Sequence, residues 1–230
     1  VNIVPGRDAQ DAAEKARALV LIPARNEAAA IARVVRDCLR AGFPVRVIDD
    51  ASRDDTARLA AAAGANVLPL PGPHHGKTAA LRHGLARLAP DIDWIIFMDG
   101  DGQHRPADLD RFWRARLHAD LVVGNRLPDA ARMPRLRRWT NRLMSAALRP
   151  SGILDSQCGL RLVRRAWLDA WLPRGHHFQF ETELALLATR RPCRVVNLPI
   201  PALYAGEQSK IVPARDALNF ARCLLGRPVA

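Results

Sequence analysis

Trp94 to His104 reads WIIFMDGDGQH. Five largely apolar residues, Trp94 to Met98, make a run too short for a helix and suited to a buried strand. Beyond its end stand two carboxylates, Asp99 and Asp101, one residue apart. Strand side chains alternate, so the two share a side only if the backbone past Met98 keeps that alternation. Gly100 and Gly102 loosen the turn and let a ligand approach the main chain. Asp99, Asp101 and the Gln103 amide offer oxygen ligands only, a set that suits Mg²⁺ or Mn²⁺ bound together with a phosphate. The expectation is a site for a metal and a diphosphate. The plainer alternative is a solvated acidic turn, because Asp-Gly pairs are common turn formers.

The sequence on either side has a regular alternation. Ala18 to Pro23, ALVLIP, is a first buried strand, expected to stop at Pro23 because proline cannot extend a ladder. The loop ARNE leads into a helix from about Ala28 to Ala41, apolar at Ile31, Val34, Val35 and Leu39. Val45 to Asp49 is a second strand, followed by a turn at Asp50-Ala51-Ser52 and a helix with Asp54 as N-cap and Gly64 beyond its end. A third strand, Asn66 to Leu70, runs into PGPHHGK and a helix from Thr78 to Leu88. After the fourth strand a helix begins near Pro106, and Leu121 to Val123 is a fifth strand. Such alternation predicts an α/β fold with a mostly parallel sheet and helices on both faces, its ligands at the carboxyl ends of the strands. The loops ARNE, DDAS, HHGK and DGDGQH all fall at such ends.

Past Gly124 the pattern changes. No acid occurs between Asp129 and Asp155, while Arg132, Arg135, Arg137, Arg138, Arg142 and Arg149 alternate with Met133, Leu136, Trp139, Leu143, Met144 and Leu148. A helix of this kind suits an anionic membrane surface, or else a solvated basic face packed on its own domain. A further helix carries FQFETELALLA, a strand spans Arg194 to Leu198, and an amphipathic helix is expected from Pro213 to Leu225. The expected division is a lead-in over 1–17, one domain over 18–213 and a C-terminal helix over 214–230.

Composition sets limits. A chain of 230 residues can bury one substantial core. Its 35 Lys and Arg against 23 Asp and Glu give a net charge of +12, which favours anionic partners. Every apolar run is shorter than the roughly 20 residues that a membrane span needs. The first 17 residues lack the apolar centre of a signal peptide, so a cytoplasmic protein is expected, and the initial Val in place of Met points to a trimmed start. Cys38, Cys158, Cys193 and Cys223 have neither zinc-ligand spacing nor a disulfide pattern. Gly76-Lys77-Thr78 imitates a phosphate loop, but Pro71 occupies the position where that loop needs a glycine. No GxGxxG follows the first strand. A basic nucleotide- or nucleic-acid-binding module would also account for the charge, but only 5% of residues are aromatic, too few for base stacking, so no nucleic acid is expected.

Taken in order, IPARNE, VIDDASRDDT, GKTAALRHGL, FMDGDGQH, VVGNR, DSQCGLRL, FQFETE and GEQSKI resemble the family 2 glycosyltransferases of GT-A fold. Within these they resemble the dolichol-phosphate mannosyltransferase-like branch, which works on polyprenyl phosphates. The resemblance covers about residues 18 to 213 and implies a GT-A (Rossmann-like) domain. It implies transfer of a sugar, with inversion, from a UDP- or GDP-linked donor to a polyprenyl phosphate in the presence of Mg²⁺ or Mn²⁺. It places Pro23, Arg25, Glu27 and Asp50 around base and ribose and Lys77 on the donor side. Asp99, Gly100, Asp101 and Gln103 fall at the metal and diphosphate. Arg126, Arg161 and, from a closing loop, Lys210 fall at the acceptor phosphate.

Elementary chemistry is consistent with these roles. A leaving diphosphate gathers negative charge that a divalent cation offsets. A phosphate monoester is already ionised at neutral pH and needs cations, whereas a hydroxyl acceptor needs a base, for which Glu181 or Glu183 are the candidates. With no spanning segment, contact with the cytoplasmic membrane would be peripheral.

Overall fold

A computed structural model describes residues 7–168, 170–174, 180–203 and 220. Seven strands form one sheet: β1 (Ala18–Ala24), β2 (Val45–Asp49), β3 (Asn66–Pro69), β4 (Trp94–Phe97), β5 (Leu121–Asn125), β6 (Arg161–Arg164) and β7 (Val195–Pro199). Their spatial order is β3-β2-β1-β4-β6-β5-β7. All neighbours are parallel except β6, which runs antiparallel to both β4 and β5. The helices are α1 (Arg7–Ala16), α2 (Ile31–Arg40), α3 (Thr56–Ala62), α4 (Lys77–Leu85), α5 (Leu109–Ala115), α6 (Arg135–Ala147), α7 (Arg165–Leu168) and α8 (Phe180–Arg190).

The alternation of strand side chains puts helices on both faces. Leu21 and Ile48 lie against Gly84 of α4, where an added Cβ would come within 3.0 Å of either. Ile22, the next residue along β1, faces the other way, towards Ile31 of α2 and Gly100. The same division sorts the aromatics. Trp94 and Phe43 meet Trp113 of α5 edge-on, while Phe97 packs on Phe180 of α8 with ring centres 4.6 Å apart. α1 is bound to this body by Lys15–Asp110 at 2.8 Å, by Trp113 donating to Asp11 at 2.7 Å, and by an Arg116–Glu14 pair.

β1 does not stop at Pro23. It continues to Ala24, with Pro23 opposite Ile48. The amide of Val20 donates towards β2 and the Ala24 carbonyl accepts from Asp50, whereas the Leu21 carbonyl accepts from Met98 beside β4. Odd-numbered residues of β1 therefore direct their polar groups to the β4 side. The β1–β4 pairing ends at Leu21, so the N–H that Pro23 lacks is one no strand needs. Nor is β6 foreseen by the sequence pattern, since its four residues, RLVR, show no apolar run. Its reversed direction matters for the site. Arg161 sits opposite Phe97, so the residues before β6 arrive at the edge where β1, β2, β4 and β5 end.

The chain fills the β1–β2–β3 half first and then crosses to β4 on the other side of β1. The loops after β1 and β4 therefore open at a topological switch point, the usual ligand crevice of such sheets. Among the described residues no helix is long and apolar enough to cross a membrane.

Candidate active site

Loops at the carboxyl edge are laced together by side chains. After β1, Asn26 adopts φ 55° and its side-chain oxygen accepts the Arg53 amide at 2.8 Å. The Glu27 amide donates to Thr56 Oγ1 at 2.7 Å and the Ala28 amide to Asp54 at 3.2 Å. Asp54 also accepts the Thr56 amide at 3.0 Å, but the N-cap of α3 is Asp55, so the helix starts one residue later than the capping role expected of Asp54 implied. Asp50, buried, accepts from the His75 amide at 2.9 Å and the Gly76 amide at 2.7 Å, and lies 2.7 Å from His74 Nδ1. Both of its oxygens thus clamp the 74–76 loop to β2. Gly76, at φ 93°, turns that loop into α4.

Lys77, first residue of α4, points at the acidic stretch. Its Nζ lies 2.5 Å from Asp99 Oδ1 and 2.6 Å from Glu181 Oε1 on α8. Burial would lower the Lys77 pKa, but the two carboxylates together hold it above the ordinary lysine value. Burial would likewise raise Asp99, but the charge of Lys77 and the His104 ring, 3.4 Å away, hold its carboxyl far below the usual range. Asp99 is therefore an anion and Lys77 a cation throughout the neutral range. Gly159 closes this corner: a Cβ there would lie 2.2 Å from Asp99 Oδ2. The strand ends at Phe97, so alternation does not set the direction of Asp101. Asp101 instead accepts the Gln103 amide at 2.9 Å within its own turn, with Gly102 at φ 79°.

A second cluster hangs from α6. Arg126, just past β5, holds Asp155 through Nε at 2.8 Å and Nη2 at 3.0 Å, and through its own amide at 3.0 Å. Asn141 of α6 donates to the same carboxylate at 2.8 Å, and Ser145, one turn on, bonds Ser156 Oγ at 3.1 Å. Burial would lift the Asp155 carboxyl, but the Arg126 guanidinium and these hydrogen bonds keep it below the ordinary value.

Arg161 does not stand where a phosphate can reach it. It is fully buried and donates to the backbone carbonyls of Cys158 at 3.0 Å, Glu181 at 3.0 Å and Ser156 at 2.7 Å. It joins the 155–160 loop to α8, a positioning role in place of the direct phosphate contact that the resemblance implied. Lys210 and the helix expected from Pro213 lie outside the described residues.

Sequence reasoning gave no role to Asp155, Asn141, Gly159 or His104, although three of the four lie in or beside stretches it quoted. Asn141 had no signal, since only the fold brings it to Asp155.

Asp99 and Asp101 supply hard oxygen donors of the type Mg²⁺ and Mn²⁺ take. Among the described residues no group of three or more His, Cys, Asp or Glu could enclose a metal alone. Mg²⁺ sites commonly draw part of their shell from substrate phosphates. Among the described residues four buried side-chain atoms have no hydrogen-bond partner, and three of them lie at this edge: Arg25 Nε, Asp49 Oδ1 and His104 Nδ1. Unsatisfied buried polar atoms are rare enough in folded proteins to need a reason.

Residues 19–172 match the model of Glycosyl transferase family 2, and the chain belongs to that family. It is a glycosyltransferase. Glycosyltransferase AglJ of Haloferax volcanii is 32% identical over 207 residues, covering 86% of this chain and 67% of that protein. The undecaprenyl-phosphate 4-deoxy-4-formamido-L-arabinose transferase of Pseudomonas paraeruginosa is 30% identical over 190 residues, 76% of this chain; the chain spans 55% of that protein. Among solved structures, glucosyl-3-phosphoglycerate synthase of Mycobacterium tuberculosis, in complex with Mn²⁺, UDP and phosphoglyceric acid, superposes with a TM-score of 0.76. That match has 23% identity and covers 100% of this chain and 87% of the other. At that identity the likeness shows the fold, an α/β GT-A-like architecture.

Proposed function

We propose that this chain moves a sugar from a nucleotide-diphosphate donor, UDP- or GDP-linked, to a polyprenyl phosphate at the cytoplasmic face of a membrane, with Mg²⁺ or Mn²⁺ on Asp99 and Asp101. The observation that carries the reading is the grouping at one sheet edge of the anionic Asp99–Lys77–Glu181 corner, three orphaned buried polar atoms and the Arg126–Asp155 pair. The names of the transferase relatives support the acceptor class.

In this reading Arg25 and Glu27, with Asp49 beside them, meet base and ribose, and the 74–76 loop, held by Asp50, lines the donor side. Pro23 and Gly100 present main chain to the nucleotide, and Gln103 orders the turn that carries Asp101. The cation, when bound, offsets the charge that collects on the leaving diphosphate. Lys77 keeps Asp99 ionised and aimed. Arg126, fixed in direction by Asp155, and Lys210 of the closing segment offer positive charge to the acceptor phosphate, which attacks the anomeric carbon unaided by a base and inverts it. Glu181 is engaged by Lys77, and Glu183 accepts the Arg174 amide at 2.8 Å, which disfavours either as a base for a hydroxyl acceptor.

The test is transfer of labelled sugar from a panel of UDP- and GDP-sugars to undecaprenyl phosphate and, separately, to undecaprenol. Label on the phosphate alone is the expected result. Label on the alcohol, or only on water-soluble hydroxyl acceptors, overturns the acceptor assignment.

A further inference from the structure

α6 has two unlike faces. Asn141 and Ser145 look inward to Asp155 and Ser156. On the roughly opposite side, at about 100° per residue, stand Leu136, Trp139 and Leu143, which are 61%, 67% and 74% exposed. Their i, i+3, i+7 spacing makes one stripe along the helix. Arg135, Arg138 and Arg142 repeat the same spacing one residue earlier and so border that stripe on one flank. From residue 130 to 154 the chain has no carboxylate. An exposed apolar stripe centred on tryptophan and edged by arginines complements the boundary between the headgroups and acyl chains of an anionic bilayer.

We propose that α6 is a docking helix that lays Leu136, Trp139 and Leu143 into the surface of an anionic lipid bilayer, with Arg135, Arg138 and Arg142 on the headgroup phosphates. Docking would also set the position of the acceptor side of the site. The inward face of the same helix holds Asp155 through Asn141, and Asp155 holds Arg126. The lipid surface thereby fixes the height of Arg126 above the plane in which a lipid phosphate is presented. This purpose rests on the polyprenyl-phosphate reading; the docking itself does not.

The experiment is co-sedimentation of the full chain with phosphatidylcholine vesicles, with and without phosphatidylglycerol. It compares the wild type, the triple variant Leu136→Ser/Trp139→Ser/Leu143→Ser and the double variant Arg135→Glu/Arg138→Glu. The wild type is expected to bind the anionic vesicles, and each variant to bind at least about tenfold more weakly, the arginine variant with little dependence on phosphatidylglycerol. Far-UV circular dichroism and the urea unfolding midpoint, measured alongside, report that the variants are folded and stay close to the wild-type values. Vesicle binding that both variants keep overturns the proposal. So does a fall in oligomeric mass in the triple variant, which assigns the stripe to a second copy. Shielding of Trp139 from acrylamide in vesicle-free protein, read from the difference between the wild type and a single Trp139→Phe variant and seen at unchanged oligomeric mass, also overturns it, by assigning the stripe to the chain's own residues 204–230. Docking as expected without sugar transfer to a lipid phosphate would leave the proposal standing and remove the acceptor reading.

Discussion

Replacing Lys77 with methionine removes the cation between two buried carboxylates and keeps a side chain of similar length. Asp99 Oδ1 and Glu181 Oε1 both lie within 2.6 Å of one nitrogen, so they are at most about 5 Å apart. Two unit charges at that separation repel by about 3 kcal/mol at an effective dielectric near 20. In the wild type the raised lysine pKa contributes stability that is complete below about pH 10 and lost as pH rises through the folded value. The lowered Asp99 pKa contributes stability present above about pH 4 and lost as pH falls through the folded value. Across the neutral range the cluster is therefore insensitive to pH. In Lys77→Met the shared site favours a protonated carboxyl, so a folded pKa rises above its unfolded value and stability is regained as pH falls through it. Protonating a carboxyl at pH 5 costs about 1 kcal/mol, against more than 4 at pH 7.5. Urea denaturation should thus show a loss of about 3 kcal/mol at pH 7.5 that shrinks to about 1 at pH 5. A loss that is the same at both pH values, or below about 1 kcal/mol at pH 7.5, would refute the electrostatic account of this corner.

Two further substitutions bear on the site's frame. Arg161→Met takes the donor from the buried carbonyls of Ser156 and Cys158, at about 1–3 kcal/mol each, while the Glu181 carbonyl keeps its helical partner, so the variant should lose at least about 2 kcal/mol in urea denaturation; a loss under about 1 would mean the guanidinium is not what joins the 155–160 loop to α8. Gly159→Ala sets a methyl 2.2 Å from Asp99 Oδ2, so Mn²⁺-dependent nucleotide binding should weaken at least about tenfold, with about 1–3 kcal/mol of stability lost to overpacking. Unchanged metal dependence in that variant would show that Asp99 is not where the cation binds.

The parallel half of the sheet was legible because β1 and β4 are continuous apolar runs between turn residues, as buried parallel strands are, and β2 and β3 keep the same strand–turn–helix rhythm. Four residues with arginine at both ends concealed β6, and only its antiparallel pairing to β4 and β5 brings Gly159 against Asp99. Pro23 misled for a local reason: whether a strand tolerates proline depends on which neighbour is still paired at that level, a fact of register absent from sequence. Asp50 and Arg161 show the same limit at the site. Charged residues inside motifs invite ligand roles, and the hydrogen bonds by which these two also hold loops in place are visible only in the fold. Lys77 was placed on the donor side from sequence, but its pairing with both Asp99 and Glu181 required the fold, since α8 lies some hundred residues further along the chain.

The most direct test of the central claim is calorimetric titration of UDP and GDP, each with and without Mn²⁺, into the wild type and Asp101→Ala. Binding of one diphosphate that needs the metal and is lost in the variant is the predicted result. If neither nucleotide binds in any condition, or if binding is indifferent to both metal and Asp101, the carboxyl edge of this sheet is not the donor site and the account is contradicted.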